Sequence, residues 1–345
     1  GILARYKGGR ARLRERGITM GLSRLAVLSE PHAGRAAYRY ENQEFFRPYD
    51  PAIYNPVYTL DALEAKGEVR VARGYLVMAY REGADGVEVF AKNLASGAVE
   101  RFEAKHLLLA AGTLSTTKIV LESHGAYAQK CPILDNAMSC IPIFRLDRVG
   151  EALDRQDSSL AQLNLIYDDP EMPGLLQGSL YGTSGPLRSD VIFQMPLAIS
   201  ANRAWSKYMS PAMALWMMFY PGVADRANYF RLRESGEMEI NYEWHGYGRA
   251  EQRLIRAFRS MGYLSARALC QYPPMGSSLH YAGTLPMKAE PGPFETDREG
   301  RLAGTRSVYI CDGACFTHLP AKNLTFTIMA NAMRIARAIR SGLEP

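Results

Sequence analysis

Two polar side chains toward the C-terminal end of the sequence have types suited to chemistry at an alcohol. His280 stands in SSLHYAGTLPM (277–287), and Asn323 follows 43 residues later in PAKNLTFTIM (320–329). An imidazole with an intrinsic pKa near 6.5 exchanges protons close to neutral pH, so it can take the hydroxyl proton. An amide side chain can hydrogen-bond the alcohol oxygen and fix its orientation. Oxidation also removes hydride from the carbon bearing that hydroxyl, so a base and an electron sink must face each other across one small volume. Taken singly, each residue has a plainer reading. A lone histidine is more often a surface or hydrogen-bonded core residue, and Asn323, just before an apolar periodic run, reads as a helix cap.

Three stretches would have to position these groups: AKHLLLAAGTLSTTKIVLES (104–123), SSLHYAGTLPM, and GRLAGTRSVYICDGACFTHLPAKNLTFTIMANAMRIA (300–336). From Glu68 to Gly112 the pattern predicts short strands with a turn at Ala95-Ser96-Gly97. Alternation in VEVF predicts a half-buried strand, and the continuous apolar run HLLLAA predicts a fully buried one ending at Gly112. Thr113 or Ser115 is placed to cap the next helix, TLSTTKIVLES, with Ile119 and Val120 on its apolar side. Residues 134–272 change character: EMEINYEW (237–244) alternates as an antiparallel strand does, and 250–262 has helical periodicity. Past Pro274 come Gly-rich turns, a short strand at SVYICDG, and a closing helix over 324–341 carrying Ile328, Met329, Ala332, Ile335, Ala336 and Ile339. No internal repeat is evident.

With 345 residues, 47% hydrophobic and 22% charged, the chain has the composition of a soluble globular protein and the length for two domains. The net charge of +6 is concentrated at Arg5, Lys7, Arg10, Arg12, Arg14 and Arg16. These read first as a solvated helix face, and second as an attraction for a phosphate-bearing cofactor or partner. No zinc-finger or aromatic recognition motif accompanies them, so nucleic-acid binding is not expected. The cysteines Cys131, Cys140, Cys270, Cys311 and Cys315 include no CxxC pair, which argues against a disulfide framework or zinc site and for a reducing, cytoplasmic setting. No metal site is expected. The apolar run MSPAMALWMMFYPGV (209–223) contains two prolines and falls short of the roughly 20 residues a membrane span needs. The N-terminus has no apolar block of signal-peptide type, although a chain starting with Gly can have lost one. The cluster of Trp205, Met209, Met213, Trp216, Met217 and Met218 reads first as core. If it lined a pocket instead, the substrate would have an apolar part. His245 and His318 read as ordinary packing or surface histidines.

The order and spacing of the three stretches resemble the glucose-methanol-choline family of FAD-dependent oxidoreductases. The family's H-x-x-G-T segment is matched by His280, Gly283 and Thr284. Its N-P-T-x-T-I-M pattern is matched by Asn323, Thr325, Thr327, Ile328 and Met329, with Leu324 in place of proline. Its Y-x-x-D-G-S-x-F pattern is matched by Tyr309, Asp312, Gly313 and Phe316, with Ala314 in place of serine. The stretch RLAVLSEPHAGRAAYRYENQEFF (24–46) is similar to a family segment that often continues into a cysteine-containing loop, but here Tyr38 and Tyr40 stand where cysteines are expected. The family's G-x-G-x-x-G turn, whose amides hold the FAD pyrophosphate, has no counterpart, because KGGRARLRERG (7–17) has the wrong glycine spacing.

The resemblance implies a mixed α/β fold: an incomplete Rossmann-like FAD-binding domain built from both chain ends (1–133 and 275–345), with an inserted antiparallel-sheet substrate domain (134–274). It implies FAD as cofactor and oxidation of a primary or secondary alcohol, such as a sugar, polyol or sterol. His280 would be the base, Asn323 the orienting residue, and flavin N5 the hydride acceptor. Ala111, Gly112 and Thr113 would form a turn beside FAD, and Asp312 and Gly313 would contact its ribityl or pyrophosphate part. The amides of Leu324 and Thr325, at the positive end of the closing helix, would face the flavin's pyrimidine edge. Two alternatives stay open: a non-enzymatic fold remnant acting as a binding or assembly module, and one half of a split flavoenzyme completed by a separate chain with the nucleotide-binding segment.

Overall fold

The structure, a computed structural model, describes residues 2–38, 52–152, 160–182, 203–244, 246 and 249–343. Tyr40, His245 and the side chain of Trp205 lie outside the described residues. The chain forms two compact units, one comprising 1–71, 138–220 and 246–274, the other 72–137, 221–245 and 275–345.

The first unit is built on a five-stranded antiparallel sheet, in the order β1 (Ile18–Leu22), β9 (Leu163–Tyr167), β10 (Leu176–Gly182), β11 (Met213–Phe219) and β8 (Met138–Phe144). All seven residues of β8 are buried, and its polar member Ser139 shares a hydrogen bond with the Tyr220 hydroxyl at 3.0 Å. Short helices α1 (Ile2–Gly8) and α2 (Arg10–Glu15) bury Tyr6 and Leu13, α3 (Pro56–Ala65) starts where Asn55 accepts from the Val57 amide, and α5 (Arg203–Met209) precedes β11. Helix α6 (Ala250–Ser260) buries Leu254, Ile255, Ala257 and Phe258, one stripe of a 3.6-residue repeat. Phe258 stacks parallel on fully buried Trp216 at 5.9 Å, so Trp216 and its neighbours Met213 and Met218 are core. Arg5 and Arg12 donate to the Met261, Gly262 and Ser260 carbonyls, capping the negative end of α6.

The second unit holds four small sheets. An antiparallel meander joins β2 (Tyr75–Glu82), β3 (Val87–Asn93) and β4 (Val99–Ala104), and a parallel pair joins β5 (Leu107–Leu109) to β15 (Val308–Ile310). β13 (Met238–Asn241) and β6 (Cys131–Pro132) flank β12 (Tyr229–Leu232), and β7 (Leu134–Asp135) pairs with β14 (Tyr281–Ala282). Helices α4 (Thr113–Ser123) and α7 (Thr325–Leu343) complete it. Val120, Leu121, Phe230, Leu285, Val308 and Ile310 belong to its core.

Three details differ from expectation. The first 71 residues group with the middle of the chain, because β1 is laddered to β9, and 221–245 group with the C-terminal segment, because β12 pairs with β6. The helix at 113–123 is capped by Gly112 without a side-chain bond, since the Thr113 hydroxyl is drawn to the Tyr281 carbonyl instead. Finally, β5 is not fully buried: Leu108 is 45% exposed, because among the described residues β15 is the strand's only neighbour. No helix among the described residues is long and apolar enough to cross a membrane.

Candidate active site

His280 enters the short strand β14, which faces β7 with Tyr281 opposite Asp135. The backbone there is held from several directions. The buried Asp135 carboxylate accepts from the Ser278 hydroxyl at 2.6 Å and the Gly276 amide at 2.5 Å, while Ser278 Oγ accepts from the His280 amide at 2.9 Å. The Tyr242 hydroxyl donates to the Asp135 carbonyl at 2.9 Å and accepts from its amide at 3.1 Å. Burial raises the Asp135 pKa, and the bonds from Ser278 and Gly276 oppose that shift.

The ring of His280 is oriented by Asn136, whose Oδ1 lies 3.1 Å from His280 Nδ1. Asn136 Nδ2 donates to the Pro320 carbonyl at 3.4 Å, and a carbonyl only accepts, so the amide oxygen is the atom that faces the imidazole. His280 Nδ1 therefore carries the proton in the neutral ring, and Nε2 holds the basic lone pair. Burial lowers the His280 pKa below its ordinary value, which keeps the ring in that basic form at neutral pH. Nitrogen-15 spectra are expected to show a protonated Nδ1 and an unprotonated Nε2, and Asn136→Ala is expected to yield a tautomer mixture. An unprotonated Nδ1 in the unmodified chain would refute the assignment.

A second knot of hydrogen bonds surrounds the start of α4. Asp312, buried by its neighbours, accepts from the Gly112 amide at 2.9 Å, the Thr116 hydroxyl at 2.5 Å and the Ala314 amide at 2.9 Å. Burial raises its pKa, against the bonds from Thr116, Ala314 and Gly112. Both carboxylate oxygens thus serve the protein's own donors, so the Asp312 side chain shapes the turn. Gly112 adopts φ +88° and has nothing within 4 Å of where a Cβ would lie, an open turn over which a ligand can approach the backbone. Gly313 is close-packed instead: a Cβ there would lie 2.8 Å from Thr113 Oγ1. The Thr113 hydroxyl donates to the Tyr281 carbonyl at 2.9 Å, tying this knot to the residue after His280.

The structure thus brings Gly112, Thr113, Asp312 and Gly313 together and links them to the His280 strand. Ala111 is exposed, and its amide donates to Thr116 Oγ1 at 3.0 Å. Asn323 and Thr325 are exposed, whereas Leu324 is buried in the core. Among the described residues His280 and Asn323 share no hydrogen bond. Their connection is indirect: Asn136 meets the imidazole with its oxygen and, with its nitrogen, Pro320, three residues before Asn323. Asp135, Asn136, Ser278 and Thr116 were not among the sequence candidates. One signal for them was available, because Asp135 and Asn136 interrupt the apolar stretch CPILDNAMSCIPIF (131–144), and a polar pair there must find buried partners.

Residues 226–332, which include His280 and Asn323, match a family model described as GMC oxidoreductase, for the family's C-terminal part. That stretch is similar to the C-terminal region of GMC oxidoreductases. No curated protein matches it in sequence. Its structure is similar to that of pyridoxine 4-oxidase from Mesorbium loti, with a TM-score of 0.56 and 13% identity over 81% of this chain. At that identity the likeness is one of fold, a mixed α/β architecture with antiparallel sheets. The chain spans 60% of the length of that oxidase. The matched residues include Ser278, His280, Asp312, Gly313 and Ala314, whereas their partners Gly112, Thr113, Thr116, Asp135 and Asn136 lie outside the match.

Proposed function

We propose that this chain is part of an FAD-dependent oxidoreductase that oxidises a primary or secondary alcohol, with His280 as the base. The observation that carries the reading is the 3.1 Å contact between Asn136 Oδ1 and His280 Nδ1, which on this proposal keeps the proton on Nδ1 and leaves Nε2 to accept the hydroxyl proton. Burial disfavours the imidazolium, so the ring is ready to accept at neutral pH. Asn323, in the exposed turn before α7, would hydrogen-bond the alcohol oxygen and hold it toward the base. The family match and the oxidase neighbour support the oxidoreductase reading.

The residues present fit FAD at the isoalloxazine side. Gly112 offers an open backbone turn with positive φ, flanked by Ala111 and Thr113, and Asp312 and Gly313 hold that turn in place. The first amides of α7, at Leu324 and Thr325, supply a positive helix end suited to the anionic edge of a reduced ring. When bound, FAD supplies the two-electron acceptor for the hydrogen leaving the carbinol carbon. On this reading the substrate is a small-molecule alcohol, and a segment bearing the phosphate-binding turn belongs to the same or a separate polypeptide. The setting would be cytoplasmic.

The second reading is a remnant serving as an assembly module. It is favoured by apolar surface on the second unit, where Leu108, Phe326 and Met333 are 45%, 74% and 57% exposed. Absorbance separates the two. Flavin bands near about 450 nm that co-elute with the protein supplied with its nucleotide-binding segment, together with alcohol-dependent bleaching, are the result expected of the oxidoreductase. A colourless protein under those conditions would sink that reading in favour of the remnant.

A further inference from the structure

The first unit contains a cleft of about 750 Å³ that includes none of the candidate active-site residues. It is lined by Arg14 of α2, Arg16 in the following turn, and Arg253 and Arg256 one turn apart on α6. The walls are rigidly joined. Gly17, at φ +76°, brings the turn so close to the end of β9 that a Cβ would meet the Asp168 carbonyl, and the Asp168 amide donates to the Gly17 carbonyl at 3.0 Å. Arg253 is clamped by Asp169 at 2.6 Å and Glu171 at 2.9 Å, with the Tyr167 hydroxyl accepting a further bond at 3.2 Å.

The other three guanidinium groups are in a different state. Some arginines of the chain pair with acids, as Arg81 and Arg101 do with Glu88, and Arg231 and Arg233 with Glu239. Among the described residues Arg14, Arg16 and Arg256 make no ion pair. Three such groups line one cleft, and an anion bound there would offset their positive charge. Planar guanidinium forks match phosphate oxygens in pairs. The remaining lining groups narrow the choice. Glu15 and Asp168 are exposed carboxylates on the same cleft, which repel an extended polyanion but accept bonds from hydroxyl groups. The volume suits a small molecule of nucleotide or sugar-phosphate size.

We infer that this cleft binds a small hydroxyl-bearing phosphate ester, with the phosphate on Arg14, Arg16 and Arg256 and the hydroxyls toward Glu15 and Asp168. An anionic membrane or a nucleic-acid backbone is disfavoured by the two carboxylates. The test is calorimetric titration of the full chain with ribose 5-phosphate, ribose, inorganic phosphate and anionic lipid vesicles. Saturable binding of ribose 5-phosphate, weaker binding of inorganic phosphate and none of ribose is expected. Arg14→Gln with Arg256→Gln should weaken the ester by about tenfold or more, and Asp168→Asn should narrow its advantage over inorganic phosphate. Both arginines are exposed, so the double variant is expected to keep the parent's unfolding midpoint. Absence of saturable binding, equal affinity for phosphate and its ester, undiminished binding by the double variant, or binding to vesicles alone would overturn the inference.

Discussion

Replacing His280 with alanine in the complete, flavin-loaded enzyme is expected to lower turnover by about 10² to 10⁴-fold, the ordinary contribution of a positioned general base. The loss should appear in kcat, because the proton moves in the chemical step, with flavin binding unchanged. With His280 as the proposed base, the same residue is expected to set the acid limb of the pH profile. Burial depresses its pKa, so the basic ring is retained as pH falls through the ordinary value near 6.5 and is lost only below it. The acid limb of kcat/KM is therefore expected below pH 6.5. Turnover that survives His280→Ala would remove this histidine from the mechanism, and an acid limb above the ordinary value would contradict the burial argument.

Asp312→Ala is the second substitution with a large expected effect, here on stability. The carboxylate serves three donors, of which Thr116 and Ala314 are buried and Gly112 is exposed, and an orphaned buried donor costs about 1–3 kcal/mol. Burial of the carboxyl, which raises its pKa, offsets part of that loss, because alanine no longer has to be desolvated as an ion. Two orphaned buried groups outweigh one relieved carboxyl, and a net destabilisation of about 2 kcal/mol is expected. At roughly 2–4 °C per kcal/mol for a domain of this size, the midpoint followed by circular dichroism should fall by about 4–8 °C. Flavin affinity should fall with it, since Gly112 loses the bond that holds its turn. An unchanged midpoint would mean that Asp312 is not the clamp the geometry shows.

The positions around the site differed in how far they could be read in advance. Helices at 113–123, 250–260 and 325–343 were legible because each carries a one-sided apolar repeat of 3.6 residues, a local property. The strands from Tyr75 to Leu109 were legible for the same reason, from alternation and the turns between them. The cap of α4 was not: Thr113 has the right type for capping, but its hydroxyl bonds a carbonyl 168 residues away. The partition of the chain into units was also missed at residues 1–71 and 221–245, because strand pairing is a long-range choice that composition does not record.

The sequence by itself determined the candidate base, the spacing of the motifs and the likeness to the GMC oxidoreductases, because those depend only on residue identity and order. The tertiary structure alone decided which nitrogen of His280 is basic. That depends on Asn136, 144 residues earlier, and on the Pro320 carbonyl that turns the amide. It also decided that the Asp312 carboxylate braces a turn and that three unpaired arginines share a cleft. A hydrogen bond has direction and a reach of about 3 Å, so its partners are set by the fold and cannot be read from either residue alone.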